Sequence, residues 1–223
     1  MSSIALPQPD TAIVDRRDAI VKDLIAIAGP LAVVLPDSTD CVAKVLSYCQ
    51  RQGIKVVPRG AGTSLCGGAL PAEDAIVIGV SKMNKVLEID TVARIARVEA
   101  GITNLAISGA AGATGFFYAP DPSSQLACTL AGNIAMNSGG AHCLKYGVTT
   151  NNVLGVKLVT IDGSIVEIGG AHLDAEGYDL MALFIGSEGQ LGVVTEATVR
   201  ILPQAEGARP MLIGFESTAK ASI

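Results

Sequence analysis

The sequence predicts an α+β protein in two lobes, a small βαβ lobe followed by a larger lobe built on an antiparallel sheet with helices. Three observations predict it. Residues 31–58 read strand, helix, strand with short links, and from about residue 85 the pattern changes to alternating segments separated by tight polar turns. The composition, 49% hydrophobic and 17% charged with 25 glycines in 223 residues, suits a compact soluble chain with a sizeable core.

Each element follows from its spacing. Residues 11–28, TAIVDRRDAIVKDLIAIA, put Ile13, Ile20, Leu24 and Ile27 on one face of a surface helix, which Gly29 and Pro30 stop. LAVVL (31–35) reads as a strand. PDSTDCVAKVLSYCQRQG opens on capping residues, repeats Val42, Val45, Leu46 and Cys49 at helical spacing and closes on Gly53. IKVVP (54–58) is a second, parallel strand, and AIVIGV (75–80) is a third strand of the same lobe. VLEID (86–90) and RIARVEA (94–100) flank a short polar turn, and TNLAISGAAG (103–112) is a helix. VLGVKLVTI and SIVEIG form a hairpin through Asp162 and Gly163. LGVVTEATVRIL (191–202) alternates outward threonines and charges with inward aliphatics. Residues 115–147 are rich in Gly, Asn and Ser without clear periodicity, a length of loop that marks a functional segment.

Several function classes are excluded. The formal charge is −5 and the 16 Lys and Arg are scattered, so there is no basic footprint for nucleic acid. The N-terminus lacks the charged and apolar regions of a signal peptide, and no stretch stays apolar long enough for a membrane span. The 5 cysteines are odd in number with no CxxC, which fits reduced thiols and a cytoplasmic protein, with Cys41 and Cys49 as core thiols.

The stretch VVPRGAGTSLCGGALP (56–71) crowds Gly60, Gly62, Gly67 and Gly68 between two prolines, directly after a strand. Ligands bind at the carboxyl ends of parallel strands, and glycines let a backbone come close to them. No Gly-Lys-Ser/Thr triplet is present, which excludes a Walker loop. Gly60-Ala61-Gly62 is followed by Leu65 where a dinucleotide fingerprint needs glycine. What remains is a nest of N–H groups from Gly60 to Ser64, with the Thr63 and Ser64 hydroxyls as extra donors, able to hold a diphosphate. The loop alone leaves that reading and a glycine-rich structural turn both open.

Three motifs in order, PRGAGTSLCGG, PDPSSQLACTLAGNIAMNSGGAHCLKYG (120–147) and GSEGQLGVVTEATVRIL (186–202), resemble the FAD-binding domain of the vanillyl-alcohol oxidase and p-cresol methylhydroxylase (PCMH) type. Within it the chain is most similar to the D subunit of glycolate oxidase and the D-lactate and D-2-hydroxyglutarate dehydrogenases. The resemblance implies that Pro58, Arg59, Gly60, Ala61, Gly62, Thr63 and Ser64, with Gly67 and Gly68, wrap the pyrophosphate of FAD. It implies that Pro120, Asp121 and Ser124 fix the flavin side. Thr129, Gly132, Asn133, Ala135, Asn137, Gly139 and Gly140 would run past the cofactor, and Tyr146 and Gly147 would complete that wall. Glu188, Gly189, Gly192, Val193 and Thr195 would lie along it from the second lobe. Taken singly, each has a plainer reading: Asp121 as a turn cap, Asn133 and Asn137 as loop amides, Thr195 as an outward strand threonine. In family order, the shared reading prevails.

The resemblance further implies dissociable FAD, a helical segment over 1–29, an FAD-binding domain over 30–204 with lobes of about 30–82 and 83–204, and the start of a truncated cap domain over 205–223. Cys66 reads as a plain buried cysteine, His142 as a satisfied loop histidine and His172 as solvent-facing, with no metal-site spacing. Two departures stand out: only Gly29 and Pro30 join the first helix to the first strand, and Ala131 adds a methyl where relatives have glycine. The implied activity is oxidation of a 2-hydroxy acid such as glycolate or D-lactate by hydride transfer to flavin N5, with a partner subunit supplying a cap or an electron acceptor. The alternatives are a non-catalytic FAD-holding or assembly subunit, a remnant that has lost FAD, and a molybdenum-hydroxylase-type flavin subunit.

Overall fold

The computed structural model describes residues 10–28, 33–70, 74–172, 177–207, 209 and 211–221. Gly29, Pro30, Pro71 and the first two positions of the first strand lie outside the described residues, as do the side chains of Leu24 and Ile27.

The small lobe holds α1 (Thr11–Val14), α2 (Arg17–Ala28), β1 (Val33–Val34), α3 (Thr39–Gln52), β2 (Lys55–Arg59) and β3 (Ala75–Gly79). Ser38 caps α3 by accepting from the Cys41 N–H, and Gly53, at φ 65°, closes it. Val42, Val45, Leu46 and Cys49 form the buried stripe. One expectation needs correction. The helix over 11–28 is broken at Asp15 and Arg16; the Asp10 N–H ahead of it bonds Asp74 Oδ2 at 2.7 Å, and Arg16 at the break bonds Gln52 at 2.7 Å. These ties draw the segment along the lobe surface. The strands on either side of α3 are parallel but not neighbours, since the order is β1-β3-β2. Strand β3 is apolar on both faces and takes the centre, whereas β2 carries Lys55, Pro58 and Arg59 and sits at the edge, where a proline costs no ladder bond.

The large lobe follows with β4 (Val86–Asp90), β5 (Ile95–Glu99), α4 (Asn104–Gly112), β6 (Phe116–Phe117), α5 (Leu130–Met136), α6 (Cys143–Tyr146) and a 3-10 turn (Thr149–Asn151). After it come β7 (Val153–Val159), β8 (Ile165–Gly169), α7 (Leu180–Phe184), β9 (Val193–Arg200), β10 (Leu202–Pro203) and α8 (Thr218–Ala221). Five strands in the order β4-β5-β9-β7-β8 form an antiparallel sheet, and β6 pairs with β10. The β7–β8 hairpin turns at Gly163, φ 87°, whose missing Cβ lets the turn seat against Ala43 and Ser47 of α3 and so tie the lobes. The segment 115–147 contains α5, capped by Thr129 and ended by Asn137 in the left-handed region; its 7 residues are too few to show a period.

Two apolar cores result. One lies between the five-stranded sheet, α4 and α5, and the other between α3 and the parallel sheet. Val159 and Val193 of the large sheet join the second core, and Ala131 packs against both. The extra methyl at Ala131 therefore sits at the seam of the lobes.

Candidate functional site

The seam opens into a cleft with about 1100 Å³ of empty space, counting the part open to solvent. From the small lobe it is lined by Pro58, Arg59, Gly60, Ala61, Gly62, Thr63 and Ser64, with Gly68 and Ala69. The facing wall brings Ser124, Thr129, Gly132, Asn133 and Ala135, and then Glu188, Gly189, Gly192 and Val193. The three sequence motifs thus meet at one cavity although they are far apart along the chain.

The loop after β2 carries the feature the glycines imply. Among the described residues no protein acceptor takes the N–H of Gly60, Ala61, Gly62, Thr63 or Ser64, while Cys66 N–H bonds Ser64 Oγ at 3.2 Å and Leu70 N–H bonds the Gly67 carbonyl at 3.0 Å. Five successive amides are left as donors beside the cleft. Close packing sets the loop: a Cβ on Gly60 would overlap Thr129 Oγ1, and one on Gly62 would come within 2.5 Å of the Arg59 guanidinium. Arg59 in turn donates to the Ala69 carbonyl at 3.3 Å across the loop. Gly189, at φ 78°, lies so near Pro58 that a Cβ would be 3.3 Å from its ring.

Thr129 Oγ1 accepts from the Gly132 N–H at 3.1 Å and caps α5, so the wall facing the loop starts at a fixed point. Asn133 is 3% exposed and donates to Asn104 at 2.7 Å and to Cys128 Sγ at 3.3 Å. The loop at Ser187 is hung on α5 by Gly186 N–H to the Ile134 carbonyl, 2.9 Å, and Glu188 N–H to the Ala135 carbonyl, 2.8 Å. Glu188 is held at φ 55°, a costly value for a residue with a side chain.

Other expected residues fall elsewhere. Gly67, Pro120, Asp121, Asn137, Gly139, Gly140, Tyr146, Gly147 and Thr195 do not line this cleft. Several form a cluster in the segments that run on from Ser124 and Ser138. Asp121 Oδ2 meets His142 Nδ1 at 2.5 Å and its Oδ1 accepts the His142 N–H at 3.3 Å. Gly140 must be bare, because a Cβ would overlap the Asp121 carbonyl. The Gly140 N–H bonds Cys143 Sγ at 2.9 Å, and the Tyr146 ring meets Phe117 edge-on at 5.8 Å. Asn137 Oδ1 accepts from the Thr150 N–H at 3.0 Å, Gly147 adopts φ 76°, and the Pro120 carbonyl accepts from Asn104. Thr195 is 1% exposed, not outward, and its hydroxyl faces Thr39 at 3.0 Å and the Lys157 carbonyl at 3.3 Å. Cys66 is exposed rather than buried, because the loop bends away from both cores.

Sequence reasoning missed Ser187, whose Oγ is buried without a hydrogen-bond partner among the described residues and which lines the cleft, although it stands inside the quoted GSEG motif. It also missed Met136, Ser138, Phe184 and Val194, which looked like ordinary core or loop positions. Behind the wall, burial pushes the Tyr118 phenol up, and among the described residues its oxygen has no partner. Among the described residues no group of three His, Cys, Asp or Glu gathers as a metal site, and no helix is long and apolar enough to cross a membrane.

Residues 30–169 match the family model of the FAD binding domain, and the chain belongs to that family. It is 49% identical over 194 residues to glycolate oxidase subunit GlcD of Escherichia coli K12, covering 87% of this chain and 39% of that protein. It is 39% identical to D-lactate dehydrogenase of Archaeoglobus fulgidus, over 87% of this chain and 44% of that one. It is 38% identical to D-2-hydroxyglutarate dehydrogenase of Xanthomonas citri pv. viticola, over 85% and 40%. The chain thus spans about two fifths of the length of these curated relatives. Among solved structures, an alkyldihydroxyacetonephosphate synthase superposes with a TM-score of 0.69 at 25% identity, over 78% of this chain and 33% of that one. The small parallel sheet and larger antiparallel sheet are those of this FAD-binding fold, and FAD is the cofactor of the family.

Proposed function

We propose that this chain holds FAD non-covalently in the cleft between its lobes, as the flavin-carrying part of an oxidoreductase for a 2-hydroxy acid of the glycolate or D-lactate type. The observation that carries the reading is the row of five amides, residues 60–64, left without protein acceptors among the described residues at the cleft wall. Such a row suits a diphosphate, whose oxygens accept and cannot donate. The Thr63 and Ser64 hydroxyls extend it, and the Arg59 guanidinium adds a positive charge. Gly60 allows the loop to close on Thr129, and Gly62 leaves room for Arg59.

Cys128, Ala131, Met136, Phe184 and Val194 supply apolar surface for a ring and keep water from it. When bound, the flavin would accept a hydride from the carbon bearing the substrate hydroxyl. The residues of this chain would position it. A partner subunit would complete the enzyme, a reading supported by the name of the Escherichia coli relative as a subunit. That name equally favours a second reading, an FAD-holding subunit with no turnover of its own.

The test is reconstitution with FAD, gel filtration and an absorbance spectrum. Co-elution of flavin with protein, and release of all colour on denaturation, are the expected results. Flavin that elutes apart from the chain overturns the proposal. Anaerobic bleaching by D-lactate or glycolate then separates the oxidoreductase from the holding subunit.

A further inference from the structure

A chain of amide orientations begins at Pro120 and ends in the cleft. The Pro120 carbonyl oxygen can only accept, and Asn104 Nδ2 donates to it at 2.9 Å. Asn104 therefore turns Oδ1 the other way, where it accepts from Asn133 Nδ2 at 2.7 Å. The Asn133 amide also donates to Cys128 Sγ at 3.3 Å, which engages both of its hydrogens. The oxygen and nitrogen of each amide are thus assigned by the network. Asn104 is 1% and Asn133 3% exposed, so turning either amide over would set like groups against each other away from water.

Asn133 Oδ1 is what remains. Among the described residues nothing donates to it, it is not one of the enclosed unpartnered atoms, and Asn133 lines the cleft. Cys128, which the Asn133 amide touches, and Ala131 and Phe184 of the same cleft are apolar surface fit for a flat ring.

Resting on the reading that the cleft takes FAD, we propose that Asn104 is a positioning residue that locks Asn133 with its carbonyl oxygen toward the cleft, so that this wall accepts a hydrogen bond from an N–H donor carried by one of the cofactor's ring systems. The lock makes the contact selective. A carbonyl or phosphate oxygen placed there would face another acceptor, and the fixed amide could not turn to greet it. FAD offers two such donors, the adenine amine and the flavin imide N–H.

The test measures dissociation constants for FAD, for flavin hypoxanthine dinucleotide, in which a carbonyl replaces the adenine amine, and for 3-methyl-FAD, in which the imide N–H is blocked. On the wild-type chain one of the two analogues is expected to bind about tenfold or more weakly than FAD, and which one identifies the ring. In Asn104→Ala the Asn133 amide is free to turn, so the discrimination falls by about threefold or more; a purely structural loss would weaken all three ligands alike. If that variant does not fold, Asn104→Ser and the wild-type comparison still decide. Wild-type protein that binds FAD but tolerates both analogues within about twofold overturns this inference alone. Discrimination that persists undiminished in the Asn104 variant overturns the lock. Wild-type protein that takes up no FAD overturns the proposed function as well.

Discussion

Gly60 and Thr129 meet at the neck of the cleft so closely that a Cβ on the glycine would overlap the threonine hydroxyl oxygen. That hydroxyl also caps α5. One contact therefore sets the height of the loop over the wall.

Gly60→Ala is expected to weaken FAD binding about tenfold or more, because either the loop lifts or the cap is displaced. Loss of the cap alone, in Thr129→Ala, costs about 1 kcal/mol, a fall of about 2–4 °C in Tm for a domain of this size. The double variant should recover part of the binding lost in Gly60→Ala, since the clash goes with the hydroxyl. Flavin fluorescence titration and thermal melts check this, and strict additivity counts against the contact.

Gly68→Ala is expected to behave differently. Among the described residues a Cβ there meets nothing within 4 Å, and the backbone is not in the left-handed region, so stability stays within about 0.5 kcal/mol of wild type. A melt of this variant beside Gly60→Ala separates glycines needed for close approach from those that are not.

The Asp74 carboxylate accepts from Lys55 Nζ and from the Asp10 N–H, each at 2.7 Å. The Lys55 hydrogen bond, then the Asp10 N–H, hold its pKa below the ordinary value against the opposing effect of burial. Because the folded value is depressed, the stabilisation is present above the unfolded pKa of about 4 and is lost as pH falls through the folded value. Wild-type Tm should fall more steeply than that of Asp74→Asn below about pH 4. Parallel acid limbs would show that the carboxylate contributes no pH dependence.

Thiol reactivity should follow exposure. Cys66 is exposed, Cys41 and Cys143 are half-buried, and Cys49 and Cys128 are buried, with burial pushing the Cys49 thiol up to about 11. Native protein is expected to react first at Cys66, and at Cys49 and Cys128 only after unfolding. Mass spectrometry of the alkylated chain reads the order.

The elements legible in the sequence were those with a local cause. The periodic stripe Val42, Val45, Leu46 and Cys49 between Ser38 and Gly53 needs no partner to be recognised as a helix. The turn at Gly163 carries its own dihedral requirement. The break at Asp15 was not legible, since the hydrogen bonds that flank it reach Asp74 and Gln52 far along the chain. The place of β3 between β1 and β2 likewise depends on which strand buries both faces. Thr195 looked outward by alternation, but α3 packs over that face of the sheet and its Thr39 hydroxyl reaches the Thr195 oxygen.

By itself, the sequence determined that a bare backbone loop follows a parallel strand and that two further motifs accompany it, because glycine positions and strand periods are written in consecutive residues. The tertiary structure alone decided which groups face the cleft. Asn104 and Asn133 lie 29 residues apart and share a hydrogen bond of 2.7 Å, and no local pattern tells an amide which end to present until the packing around it has excluded water and every other partner.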